Sequence, residues 1–176
     1  MGASEFEDAY DREEPSRLGE EQRLGEAILD APIRALDPRP AVSVPESATV
    51  REAIGFMIEH GVGAVLVERG GRARAIFSER DVMRRVVMQG VPLDRPVIDV
   101  STRDPETLGL DDGIAFALNR MVIGGFRHIP IVDASGAPLA VLSQREIVAF
   151  IVSLLPTRTL NLPPEPKHEA RSEDGG

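Results

Sequence analysis

Two short stretches of this 176-residue chain set a hydroxyl and a carboxylate three positions apart: Ser78-Glu79-Arg80-Asp81 and Ser143-Gln144-Arg145-Glu146. Each stands where a β-prone run, Ala75-Ile76-Phe77 or Ala140-Val141-Leu142, gives way to a helical pattern. Two chemistries are open at such a place. A carboxylate accepts both hydroxyl hydrogens of a sugar cis-diol, while a helix N-terminus offers unpaired N–H groups and a positive dipole end to an anion. Ser-x-x-acid is equally a capping box, which satisfies orphan backbone donors and needs no ligand. Arg80 and Arg145 add a cation to each end, and the second copy has Glu, one methylene longer than Asp.

The second constellation is Phe126-Arg127-His128-Ile129-Pro130, where basic residues enter an apolar strand. Side chains alternate along a strand, so Arg127 and Ile129 face one way and His128 and Pro130 the other. Both bases reach one anion only if one of them occupies a bulge or a rim. The alternative is a solvated Arg127 and a packed His128.

Other chemistry is thin. No cysteine is present, which removes disulfides, thiolate zinc sites and cysteine nucleophiles. His60, His128 and His168 have no metal-ligand spacing, and Asp111-Asp112 ahead of a helix is accounted for by the helix dipole. Gly61-Val62-Gly63-Ala64-Val65-Leu66 lacks a third glycine and runs from helix to strand, the wrong order for a dinucleotide turn. No metal and no catalytic residues are expected, and the chain reads as a non-enzyme.

The elements that position these residues form an internal repeat. At an offset of 64, Ala53-Ile54-Gly55-Phe56-Met57 falls on Ala117-Leu118-Asn119-Arg120-Met121, and Ala64-Val65-Leu66-Val67 on His128-Ile129-Pro130-Ile131. After one turn the offset is 65, and Ala75 to Arg80 falls on Ala140 to Arg145. Each copy predicts a short strand (Ala41 to Val44; Glu106 to Leu108), then a helix opened by a hydroxyl or acidic residue (Thr49 to Glu59; Asp112 to Val122). Two strands follow (Gly63 to Glu68 and Arg74 to Phe77; Arg127 to Val132 and Pro138 to Leu142), joined at Gly70-Gly71 and Ser135-Gly136. A second helix closes each copy, Glu79 to Gln89 and Gln144 to Leu154. A unit of this size buries too little surface alone, so the copies are expected to pack sheet against sheet. In the last helix, Ile147 to Val152 is apolar all round, which predicts cover from a second chain.

The net charge of −9 belongs to the ends. Residues 1–30 hold ten acids against three arginines, whereas 31–156 are close to neutral. The acidic start and the Pro-rich end from Leu160 read as tails. No basic face suits nucleic acid, and the longest apolar run, Ile147 to Leu155, falls short of the roughly 20 residues of a membrane span. A soluble, cytoplasmic protein is expected.

Thr49-Val50-Arg51-Glu52-Ala53-Ile54 through Val67, Ile76 through Val87, and Gly124 through Val148 together resemble paired CBS (cystathionine β-synthase) domains, over about Ile33 to Leu155, some 70% of the chain. The resemblance implies an α+β fold: two βαββα CBS repeats packed sheet to sheet as one pseudo-two-fold Bateman module. The expected organisation is a tail at 1–31, CBS repeats at 32–98 and 99–156, and a polar tail at 157–176. It also implies an adenine nucleotide, AMP, ADP or ATP, with NAD and S-adenosylmethionine ranked behind, bound between the sheets to regulate an unidentified partner protein. By this resemblance Ser78, Arg80 and Asp81, and in the second copy Ser143, Arg145 and Glu146, contact ribose and phosphate. Arg127, His128 and Pro130 line the second-copy strand, Ala64 its first-copy counterpart, and Val42 and Thr102 the adenine wall. The ligand is expected to bridge Ser78 and Asp81 of one copy to Arg127 or His128 of the other. Two departures, Ala75 and Ala140 where the family usually has glycine, are expected to narrow both clefts. A homodimer through the repeat helices is implied, and the alternative is a ligand-free dimerisation or interaction module.

Overall fold

The computed structural model describes residues 31–154; the two expected tails, apart from Ala31, lie outside the described residues. The first repeat runs β1 (Ser43–Pro45), α1 (Val50–His60), β2 (Ala64–Arg69), β3 (Arg72–Ser78) and a helical segment that opens as α2 (Glu79–Asp81). The second runs β4 (Thr102–Arg103), α3 (Ile114–Gly124), β5 (His128–Val132), β6 (Pro138–Ser143) and α4 (Gln144–Leu154). Strands β1 to β4 form one sheet in chain order, with β1 parallel to β2 and the other pairs antiparallel. Strands β5 and β6 form a second, antiparallel sheet.

Helix α1 starts where Thr49 accepts the Glu52 N–H at 3.2 Å and the Glu52 carboxylate accepts the Thr49 N–H at 2.7 Å. It ends at Gly61 in the left-handed region (φ 61°), as α3 ends at Gly125 (φ 67°), where a Cβ would be strained. Helix α3 begins two residues later than its acidic start suggested. Its N-cap is Gly113, with no side-chain cap, because the Asp112 carboxylate accepts the Gly109 N–H instead, at 2.7 Å. The helix expected over Glu79 to Gln89 is α-wound only to Asp81 and continues as a π-helix, Val82–Val87, in which the Met88 N–H reaches the Met83 carbonyl.

Alternation along the strands separates three apolar layers. Val65, Val67, Ala75 and Phe77 point into a core closed by Val50, Ala53 and Met57 of α1. Ile129, Ile131, Ala140 and Leu142 point into a second core closed by Ile114, Ala117 and Met121 of α3 and Ile147 of α4. The opposite face of the first sheet, Ala64, Leu66 and Ile76, packs against Val141 between the sheets.

The leading segments cross over. Ile33, in a 3-10 turn at Ile33–Leu36, is fully buried in the second core, and its N–H donates to the Asp112 carbonyl at 2.9 Å. Its repeat mate Val97, in the turn Val97–Asp99, is buried in the first core and donates to Ala48 at 2.8 Å. The strands repeat the exchange: Thr102–Arg103 pairs with β3 of the first repeat, and Pro40 bridges to Ala140 of the second. The strand expected over Glu106 to Leu108 is thereby reduced to a single parallel bridge from Leu108 to Ile131. Each repeat completes the other, so the two fold as one body.

Candidate functional site

Both Ser-x-x-acid turns cap their helices. At the first, Asp81 Oδ2 accepts the Ser78 N–H at 3.0 Å and its hydroxyl at 2.6 Å. At the second, Glu146 Oε2 accepts the Ser143 N–H at 2.8 Å and its hydroxyl at 2.6 Å. The first backbone N–H of each helix is also held across the sheet, Glu79 by the Gly63 carbonyl (3.1 Å) and Gln144 by that of Arg127 (2.9 Å).

The second oxygen of each acid meets different company. Asp81 Oδ1 faces Arg85 Nε at 3.3 Å, one helical turn on, and Arg85 donates further to the Val100 carbonyl. At the repeat-related position stands Phe150, packed against the second core, and Glu146 has no cationic partner among the described residues.

A cleft of about 1490 Å³ opens between the repeats. Val42, Ile54, Met57 and Ala64 of the first repeat give it an apolar wall, and Ser143 and Glu146 stand at its other side with Arg127, His128 and Arg145. Seven of the residues expected at a binding site therefore meet here: Val42, Ala64, Arg127, His128, Ser143, Arg145 and Glu146. Ser78, Arg80, Asp81, Thr102 and Pro130 lie outside its lining. The Arg80 guanidinium donates to the Gly125 carbonyl, Thr102 is exposed on β4, and Pro130 is buried in β5 opposite Val141. Arg127 and His128 reach the same cleft because β5 starts at His128, so Arg127 precedes the strand and escapes its alternation.

Arg39 and Met57 line the cleft and were not singled out from the sequence. Arg39 was findable: it lies three residues before Val42, at an offset of 64 from Arg103.

His128 is wedged against Gly63, where an added Cβ would lie 3.0 Å from its Nε2. Burial is the main cause that holds the imidazole below its ordinary pKa, and Glu79 and Glu146 partly oppose it while Arg127 and Arg80 add to it. The ring therefore enters the cleft wall neutral at pH 7.

Ala75 and Ala140 do not narrow a cleft. Their methyls are buried in the first and second helix-side cores, on the faces turned away from the inter-sheet space. Among the described residues no group of three His, Cys, Asp or Glu is arranged to hold a metal, and no helix is long and apolar enough to cross a membrane.

The CBS domain family model matches residues 33–88 and 97–153, both repeats in order. This chain belongs to the CBS-domain family. An AMP complex of a CBS domain protein from Pyrobaculum aerophilum is 30% identical and superposes with a TM-score of 0.63, covering 70% of this chain and 99% of that one. A protein with CBS domains from Burkholderia ambifaria is similar at 25% identity and TM-score 0.63, over 69% of this chain and 93% of that chain. The meiotically up-regulated gene 70 protein of Schizosaccharomyces pombe is 38% identical over 104 residues, 58% of this chain but only 14% of its own length. The CBS pair is thus the shared part, and the matches fall on the two repeats that wall the cleft.

Proposed function

We propose that this chain is a regulatory module that binds an adenine nucleotide, AMP, ADP or ATP, in the cleft between its two CBS repeats. Occupancy is converted into a change in how the repeats are set against each other. The observation that carries this reading is the composition of the cleft. It joins an apolar wall from one repeat to a helix N-terminus, a carboxylate and basic side chains from the other. An adenine suits the apolar side, a ribose diol suits the carboxylate, and a phosphate suits the guanidinium groups and the helix end. The cleft exceeds the roughly 300–1,000 Å³ of ordinary small-molecule pockets, so a nucleotide fits with space left at the mouth. The AMP complex of the Pyrobaculum aerophilum relative supports the same ligand class.

A ligand biases the repeat arrangement only by its differential affinity for two settings. The crossed-over lead segments supply a route for that bias, because each repeat carries part of the other's core. In this reading the module acts in the cytoplasm on a partner protein.

Calorimetric titration with AMP, ADP, ATP, NAD and S-adenosylmethionine tests the proposal. Binding of an adenosine phosphate in the micromolar range is expected, and no binding below millimolar by any of them overturns it.

A second reading is favoured by a separate observation. Phe116 and Ile123 on α3 and Val148 on α4 are half or more exposed, and α4 has apolar residues on faces its own core does not use. This supports a homodimer formed through the repeat helices. In the strict form of that reading both turns act only as caps, and the chain dimerises without any nucleotide. Sedimentation with and without ATP separates the two: a dimer that forms at the same concentration in either case, with no heat of binding, favours the second.

A further inference from the structure

The two sides of the inter-repeat space are related by the repeat, and only one of them is tied shut. At an offset of 64, Gly61 and Ala64 of the first copy fall on Gly125 and His128 of the second, and at an offset of 65 Arg80 falls on Arg145. On the closed side the Arg80 guanidinium, in α2, crosses to the other repeat and donates to the carbonyl of Gly125, the residue that ends α3. The mate of that bond would run from Arg145, near the start of α4, to the carbonyl of Gly61, the residue that ends α1. Arg145 and Gly61 are both exposed and both line the cleft, yet among the described residues Arg145 makes no ion pair and no hydrogen bond to Gly61.

The side chains beside the two turns account for the difference. Ala64 is in register with Ser78, next to the turn that carries Arg80, and His128 is in register with Ser143, next to the turn that carries Arg145. A methyl on the closed side is thus matched by an imidazole on the open side. That ring already rests on the smallest residue a chain can offer. A Cβ on Gly63, in the other repeat, would lie 3.0 Å from the His128 Nε2 and 3.5 Å from the Glu79 carboxylate, which meets the same spot. Close-packed atoms leave no room for further approach while the ring stays there. Glu79, Glu146 and Arg127 share the lining with Arg145, and among the described residues none of them forms an ion pair across the cleft.

We infer that His128 is a prop that holds the cleft open, and that Arg145 and the Gly61 carbonyl are the unmade half of a latch whose made half is Arg80 and Gly125. The module therefore has a second, closed setting, in which the ring leaves Gly63, α4 moves toward the end of α1, and both arginines tie one repeat to the other. Closure of this kind belongs to the ligand-free chain and does not depend on the nucleotide reading. With the prop removed, one hydrogen bond from a charged donor favours the setting that contains it by about tenfold or more in population.

Spin-label distances test this in the full chain, which has no cysteine of its own. Ile58→Cys on α1 and Ala149→Cys on α4 put labels on two walls of the cleft, and dilution with unlabelled chain confines the measurement to one molecule. His128→Ala, which gives the second copy the residue that the first already has, is expected to shorten the main distance by about 2 Å, the size of a helix shift between two packed arrangements. Adding Arg145→Ala restores the longer distance, whereas adding Glu79→Gln leaves it short. His128→Ser takes the place of His128→Ala if the latter fails to fold. A folded variant that keeps the wild-type distance overturns the inference. So does a shortening that survives Arg145→Ala, which is collapse without a latch, or one that Glu79→Gln abolishes, which makes a carboxylate the partner in place of the carbonyl.

Discussion

At the Ser78 turn a capping carboxylate is closed off by the next turn of its own helix, whereas at the Ser143 turn an equally capping carboxylate keeps one oxygen toward a cleft. Capping and ligand binding are therefore not rival uses of Ser-x-x-acid. A carboxylate has two oxygens; the cap takes one, and the residue four positions on decides what becomes of the other. That residue is Arg85 in the first repeat and Phe150 in the second. The shorter Asp is held back against its helix, and the longer Glu belongs to the open cleft.

The strongest way to break the comparison is to attack the crossing-over that makes the repeats interdependent. Ile33→Ala, deep in a core supplied by the other repeat, is expected to cost about 2–5 kcal/mol in urea unfolding. Hydrogen exchange should rise first in α3, β5 and β6. Faster exchange confined to α1 and β2 would show that Ile33 does not serve the second core.

Next in size is Asp81→Ala, which removes a cap and leaves Arg85 unpaired; a loss of about 1–3 kcal/mol is expected. Glu146→Ala removes a cap alone and is expected to cost about 1 kcal/mol. Equal losses from the two variants would erase the distinction drawn between the turns. A third pair sets α1 against α3. Thr49→Ala should cost about 1 kcal/mol, while Gly113→Ser, at a backbone already extended for an N-cap, should return a few tenths. Thermal unfolding of both variants measures the contrast.

The smallest effect is expected with pH, because the burial that lowers the His128 pKa is partly offset by Glu79 and Glu146. The unfolded chain takes up a proton near the ordinary histidine pKa of about 6.5, where the folded chain still refuses it. Stability from this group is therefore complete above about pH 6.5 and declines as the pH falls below it. Glu52, Glu106 and Asp133, lowered by hydrogen bonds from Thr49, Arg120 and Ser135, act only in the more acidic carboxylate range. Stability curves of the wild type and His128→Gln between pH 7.5 and 5, roughly the histidine range, should converge at the acid end. Parallel curves would place His128 in a site that tolerates its charge.

Much of this arrangement was legible beforehand because it is written in local pattern. Two offsets located the repeat, and α4 and the Thr49 cap fall where hydroxyl and apolar spacing put them. The Asp81–Arg85 pairing at i and i+4 was equally present in the sequence as a sign that the acid is engaged. Contacts between distant segments were not legible. Nothing local marks Ile33 for the second core, assigns Thr102 to the sheet of the first repeat, or sends Ala75 and Ala140 to the helix side.

The sequence by itself determined the repeated elements, their caps and the identity of every charge, since propensity, periodicity and hydrogen bonding within a turn are settled by near neighbours. Only the tertiary structure decided which charges remain available. Arg80 and Arg145 are the same residue in the same motif, but one meets a carbonyl 45 positions away and the other faces a cleft. A side chain's chemistry depends on the partners that packing brings within about 4 Å, and chains far apart in sequence supply those partners only after the fold has closed.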